Sequence, residues 1–109
     1  AAVAPEVNEF ELAGLTPLAS TQVRPPRVAE SPVTLECRRT QVLQLQGVDG
    51  VQVPTWLVLG EVVAVHIDTA LLKDGVYDTA SAGHILRAGG PADYFTVGPE
   101  QLFKMHRPR

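Results

Sequence analysis

The sequence holds one cysteine, Cys37, among 109 residues. No intrachain disulfide can form, and a zinc cluster built on cysteines is excluded. A reducing cytosol is the compartment that this cysteine usage predicts, so the expected location is cytoplasmic. Long apolar runs are missing too. The longest, Trp56–Ile67, is broken by Glu61 and falls short of the ~20 residues a membrane-crossing helix needs. The first residues, Ala1-Ala2-Val3-Ala4-Pro5, have no basic flank and no apolar core, and do not read as a signal peptide. A basic surplus is absent: the formal charge is −3, which argues against a general nucleic-acid binder. Lys104, His106, Arg107 and Arg109 make the C-terminus locally basic and read as a solvated end.

Several catalytic signatures are also lacking. There is no Walker pattern and no GxGxxG after a strand. Serine is scarce and no Gly-x-Ser-x-Gly elbow occurs. The three histidines, His66, His84 and His106, lack helical metal spacing, so no metal site is expected. These absences argue against a self-contained hydrolase or metalloenzyme.

What is present suits one globular domain, 45% hydrophobic and 19% charged. Asn8 is placed to cap a short helix over Glu9–Ala13, with Gly14 to end it. Pro17, Pro25, Pro26 and Pro32 then rule out a helix or a long central strand over 15–32. An extended, surface-wrapping segment is predicted, with one short edge strand near Thr21–Arg24. From Val33 to Gln46 the pattern alternates. Val33, Leu35, Cys37, Leu43 and Leu45 share one parity, while Thr34, Glu36, Arg38, Thr40, Gln44 and Gln46 dominate the other. Gly47-Val48-Asp49-Gly50 signals a hairpin, and a strand over 54–67 returns antiparallel.

That returning strand is apolar on both parities, which suits closure into a barrel. Glu61 is expected to pair with Arg38 or Arg39 across the hairpin. His66 reads either as a strand-end histidine bonded to nearby backbone or as an imidazole edging a ligand pocket. Gly60 marks a bulge or a close approach by another backbone or a flat ring. Downstream, Asp68 caps a short turn that Gly75 stops. Residues 76–91 read as loop with an apolar patch at Ile85-Leu86. A strand over Tyr94–Val97 and a helix over Glu100–Met105 opened by Pro99 are predicted. Arg87, Gly89, Gly90 and Tyr94 form a separate cluster. It offers a planar cation, a flat face with a polar tip, and glycines that admit close backbone approach. An ordinary surface loop would carry the same residues.

Several stretches, in order and spacing, resemble one family. They are Glu9–Pro17, Pro25-Pro26-Arg27-Val28-Ala29-Glu30-Ser31-Pro32, Leu35-Glu36-Cys37, Leu57–Ile67, Leu71–Gly75, Arg87–Gly90 and Leu102-Phe103. Together they look like the C-terminal portion of a flavin reductase-like protein of the FMN-binding split-barrel class. The resemblance implies a mainly β fold, part of a six-stranded antiparallel Greek-key split barrel with short helices, assembled as a homodimer. On this reading residues 1–109 are one domain's C-terminal portion, and an N-terminal half that carries much of the flavin site is its missing partner. The implied chemistry is hydride transfer from NAD(P)H to FMN, with FAD as an alternative, supplying a partner monooxygenase. A non-catalytic FMN-binding or electron-carrier module, and a structural fragment without flavin, are the competing expectations. By resemblance the Arg87–Tyr94 loop, with Gly89 and Gly90, lies near the flavin or nicotinamide. Thr55, beside Trp56, occupies the position where many members place a nicotinamide-facing histidine. The candidate cofactor residues are therefore Arg87, Gly89, Gly90, Tyr94, Thr55 and Trp56.

Overall fold

The Asp49-Gly50 turn organises the longest feature of the chain. In the computed structural model, which describes residues 3–109, four short or long antiparallel strand pairs form, each its own two-stranded sheet. The chain divides into two compact units, one ending at Ile67 and the other spanning Asp68–Arg109.

The first unit opens with α1 (Glu9–Ala13), capped by Asn8, whose side chain accepts from the Phe10 N–H at 3.0 Å. Its end is a Schellman closure. Leu15 N–H donates to the Phe10 carbonyl, and Gly14 N–H to that of Glu11. β1 (Pro17–Leu18) pairs with β2 (Arg27–Val28), a two-residue ladder in which a strand proline is tolerated because its missing N–H faces outward. No strand forms at Thr21–Arg24, contrary to expectation. Those residues bend instead, because Glu36 and Arg38, farther along the chain, take up the backbone groups of Thr21 and Gln22.

β3 (Val33–Gln46) and β4 (Gln52–Ile67) make the predicted hairpin. Its turn is closed by Gly47 N–H to the Val51 carbonyl at 2.9 Å and by the Asp49 carboxylate, which accepts from Val51 N–H at 3.0 Å. Gly50 sits at φ +81°, where a β-carbon is disfavoured. The ladder slips at three places: Glu36/Cys37, Arg39/Gln41 and Gln44/Gln46. Pro54 lies in the last of these and has no N–H to give the ladder; the Gln44 side-chain amide donates to the Val53 carbonyl there. Gly60 faces Arg39 beside the middle slip, and a β-carbon on it would stand 3.3 Å from Cys37 Cβ.

The second unit starts with Asp68 capping a 3₁₀ turn over Thr69–Leu71. Gly75 does not stop a helix here. Asp74 and Gly75, at φ +53° and +76°, are the two residues of a tight hairpin joining β5 (Leu72–Lys73) to β6 (Val76–Tyr77). A second 3₁₀ turn spans Thr79–Ser81. The apolar patch becomes β7 (Ile85–Arg87), paired with β8 (Tyr94–Thr96). The helix expected over Glu100–Met105 shortens to a 3₁₀ turn at Pro99–Gln101. Leu102, Phe103 and Met105 are exposed, so no packed face supports a longer helix.

No barrel closes among the described residues of this chain, which reads as the C-terminal part of one. Among the described residues no apolar side chain is buried; Trp56 is 58% and Val58 61% exposed. β3 and β4 pair only with each other, and a two-stranded sheet encloses nothing. The fold is mainly β with little helix, and its sheets are open.

Gly50→Ala is expected to destabilise the intact protein by about 1 kcal/mol, since open space surrounds the site and only backbone strain is added. Gly50→Asn should cost less, because asparagine visits this conformation readily. Thermal or urea unfolding of the two variants checks the order.

Candidate functional site

The most highly organised polar cluster is built on Glu36. It lies on the polar parity of β3, yet it is 2% exposed, the single buried polar side chain among the described residues. In the register Glu36 faces Ala64 and Thr34 faces His66, so Glu36 and His66 are diagonal neighbours on one face. The His66 Nε2 and Glu36 Oε2 stand 2.5 Å apart. The other donors come from the bend after β1. Thr21 N–H lies 2.9 Å from Oε2 and the Thr21 hydroxyl 3.1 Å from it, while Gln22 N–H donates to Oε1 at 2.7 Å.

These donors favour the ionised carboxylate. The Thr21 backbone N–H is the largest influence, opposed by burial and reinforced by Gln22, His66 and the Thr21 hydroxyl, and together they lower the Glu36 pKa to about 2. With an anion opposite it, His66 Nε2 must carry the hydrogen. His66 is thus neither a backbone-bonded strand end nor a free pocket imidazole.

Two further contacts fix the same segment. Arg38 Nη2 donates to the Gln22 carbonyl at 2.8 Å. Glu30 accepts from Thr16 N–H at 2.8 Å and from the Thr16 hydroxyl at 2.9 Å, which holds its carboxyl below the usual range. The expected pair of Glu61 with Arg38 or Arg39 is not formed among the described residues, although Arg38 faces Glu61 in the ladder. An exposed ion pair gains little in water, and Arg38 reaches the backbone carbonyl instead. Residues 16–28 therefore form a strap stapled to β3. Between strap and strand lies a cleft of about 460 Å³, whose lining includes Arg27, Val23, Pro25 and Thr34.

The cluster expected around Arg87 is gathered in one place, the β7–β8 hairpin. Arg87 faces Tyr94 in the ladder, and its guanidinium carbon lies 5.7 Å from the Tyr94 ring centroid. This cation–π contact is worth ~0.5–1 kcal/mol at an exposed site. Arg87 Nη2 also donates to the Pro91 carbonyl at 2.9 Å. Gly89 and Gly90 turn the chain with φ +74° and +58°, and a β-carbon on Gly90 would collide with the Asp93 carboxylate. Thr55 and Trp56 belong to the other unit, on β4; Thr55 falls where the ladder slips, and Trp56 faces Gln44. A Tyr77 hydroxyl to His84 Nε2 contact at 2.6 Å completes the polar pairs of the second unit.

Sequence reasoning missed the Glu36 cluster. The available signal was a Thr-Gln pair in a proline-rich bend followed by a glutamate on a strand. That pattern is common, and only the ladder slips bring His66 beside it. No helix is long and apolar enough to cross a membrane. No metal-holding group of histidine, cysteine and acidic residues occurs among the described residues.

A mainly β chain with these open hairpins matches solved split-barrel proteins. Nitrilotriacetate monooxygenase component B from Bacillus cereus overlays 96% of this chain and 50% of its own, at TM-score 0.81 and 28% identity. Flavoredoxin of Desulfovibrio vulgaris (Miyazaki F) overlays 92% of this chain and 49% of its own, at TM-score 0.70 and 28% identity. A split-barrel protein of Shewanella frigidimarina, assigned only provisionally as a flavin reductase, overlays 99% of this chain and 51% of its own at TM-score 0.72 and 25% identity. The flavin reductase like domain family matches residues 1–85, and the chain belongs to that family. An uncharacterized protein of Halalkalibacterium halodurans is 35% identical across 95% of this chain and 48% of its own length. Another, of Aquifex aeolicus, is 32% identical across 66% of this chain and 33% of its own. The chain spans about half the length, or less, of the curated relatives it matches.

Glu36 gives this site a pH signature. Its folded pKa is depressed, so its contribution to stability is present above the unfolded value near 4.5 and is lost as pH falls toward about 2. Urea midpoints of the wild type should therefore fall between pH 5 and pH 2. Glu36→Gln should start lower at neutral pH, because an amide NH₂ would oppose the strap's donors, and should have a flatter acid limb. Equal acid limbs in the two proteins would contradict the assignment.

Proposed function

We propose that residues 1–109 are the C-terminal portion of one flavin reductase-like domain that takes hydride from NAD(P)H onto FMN, with FAD as the alternative flavin, and delivers reduced flavin to a partner monooxygenase. The carrying observation is the family match over residues 1–85, joined to the 0.81 overlay on a monooxygenase component B. That the chain spans about half of such proteins, with β3 and β4 open on both faces, supports an N-terminal half as the partner that completes the barrel. A homodimer and a cytoplasmic setting belong to the same reading.

The residues present suit a flat anionic cofactor. Trp56 and Tyr94 are more than half exposed and present planar faces. Arg87 is held against Tyr94 with donors to spare, and Gly89 and Gly90 let backbone approach a ligand closely. Thr55 flanks Trp56 on β4. Bound flavin would supply the hydride-accepting ring. Within its own unit, the part of Arg87 and Tyr94 is to hold a flat ring, and that of Trp56 on β4 is to offer a second planar face.

A second reading is an FMN-binding electron carrier with little turnover. Thr55, where a histidine was expected by resemblance, and the likeness to flavoredoxin favour it.

The intact protein should bind FMN and oxidise NADH or NADPH in a flavin-dependent way, followed at 340 nm. Tight FMN retention with negligible turnover would select the carrier. Neither binding nor flavin-stimulated oxidation would overturn both readings. Tyr94→Ala should weaken flavin or pyridine-nucleotide binding roughly tenfold while leaving the unfolding midpoint within a few degrees.

A further inference from the structure

The chain carries the same tripeptide twice, each time at a hairpin turn: Asp49-Gly50-Val51 and Asp74-Gly75-Val76. Aspartate before glycine can cyclise. The glycine amide nitrogen attacks the side-chain carboxyl carbon of the aspartate, an intramolecular reaction governed by how the two groups are held. The five-membered succinimide that forms reopens with water. Glycine permits this because no β-carbon shields its nitrogen. With the same residue on each side of the reacting bond and the same valine after it, the two sites are closely matched in intrinsic reactivity. Any large difference between them is set by the fold.

At the first turn the fold holds both reacting groups. The Gly50 N–H, on the nitrogen that would attack, donates to the Gly47 carbonyl at 3.0 Å. The Asp49 carboxylate, which would be attacked, accepts from the Val51 N–H at 3.0 Å. These are bonds of the turn to itself, and a segment covering the turn would leave them in place. The turn also closes the long β3–β4 ladder. The second turn lacks such restraints. A two-residue turn supplies no acceptor for the N–H of its second residue, and among the described residues neither the Gly75 N–H nor the Asp74 side chain makes a hydrogen bond. β5 and β6 pair over only two residues each, and a ladder this short opens readily. Asp74 is also the one non-glycine residue at positive φ among the described residues, at +53°, a conformation that an L side chain resists.

We propose that Asp74 is a site of spontaneous isoaspartate formation in this protein, while Asp49, in the same tripeptide, is protected by its turn. The atoms balance with water alone. The Gly75 nitrogen gives up its proton and the Asp74 carboxylic acid its hydroxyl; a C–N bond forms, a C–O bond breaks and one water leaves. Water then adds at either ring carbonyl and breaks the C–N bond there. Addition at the carbonyl of the original side chain restores aspartate. Addition at the original backbone carbonyl routes the chain through Cβ and leaves the α-carboxylate pendant. The product has the parent mass and one extra main-chain carbon. Extra length inside a two-residue turn disturbs the Lys73–Val76 pairing. The inference stands apart from the flavin reductase reading and does not depend on it.

The test needs no variant. The intact protein is aged at neutral pH in water enriched in heavy oxygen, digested in ordinary water and mapped by mass spectrometry. Each succinimide turnover leaves one heavy oxygen atom in the peptide, whichever product forms. Fragmentation that separates isoaspartate from aspartate, and methyl transfer by an isoaspartyl carboxyl methyltransferase, read the isomer itself. The peptide holding Asp74 should take up label several-fold faster than the peptide holding Asp49, with isoaspartate appearing at position 74. In denaturing urea the two rates should converge, because the bonds that protect Asp49 are gone. Equal rates in the folded protein, a faster Asp49, or no label at Asp74 overturns the proposal. A gap of the same size in folded and unfolded chains also overturns it, since the cause would then lie in the flanking sequence and not in the turns.

Discussion

The Glu36 carboxylate is the hinge on which the first unit turns. A charged group inside a small β protein is tolerated only when its lone pairs are met. Here they are met by two consecutive backbone N–H groups, a hydroxyl and an imidazole. Those backbone donors belong to a stretch that prolines keep out of any long ladder. The strand's side chains therefore do for the bend what a neighbouring strand would have done. Arg38 completes the exchange by taking the Gln22 carbonyl. The strap and its cleft follow from that substitution of side chains for a ladder.

The second unit solves a similar problem with less material. Its pairs are two or three residues long and its turns carry the positive φ values. The β7–β8 hairpin gathers an arginine, a tyrosine and two glycines because antiparallel pairing sets Arg87 opposite Tyr94. The cation–π contact and the Pro91 carbonyl give the guanidinium a resting place while leaving most of its donors free.

Open apolar faces link this architecture to the family. β4 carries Trp56, Val58 and Val62 outward, and β3 carries Leu35 and Leu43, with no apolar side chain buried among the described residues. A sheet with such faces is built to be covered. Relatives about twice as long, overlaid on this chain over almost its whole length, agree with that demand.

Local rules carried much of the fold. Asn8 and Gly14 bound the helix, Asp49-Gly50 fixed the hairpin, and alternation placed both long strands within two residues of their observed bounds. Ordered motifs were enough to recognise the family. These are short-range effects of capping, turn geometry and strand period, and they need no distant partner. Other features waited on tertiary structure. A slip-free ladder counted outward from the turn would set Glu36 opposite Val62, far along the strand from His66. The slip at Gln44/Gln46 shifts the register by two residues, the slips near Thr40 and Val63 cancel each other, and the two become diagonal neighbours. Nothing in the alternation announces those slips, because a bulge depends on contacts made by the folded ladder. The bend at Thr21–Arg24 and the vanished Glu61–Arg38 pair have the same origin. Each depends on which group reaches a backbone donor or acceptor first in three dimensions, a competition that residue types alone do not decide.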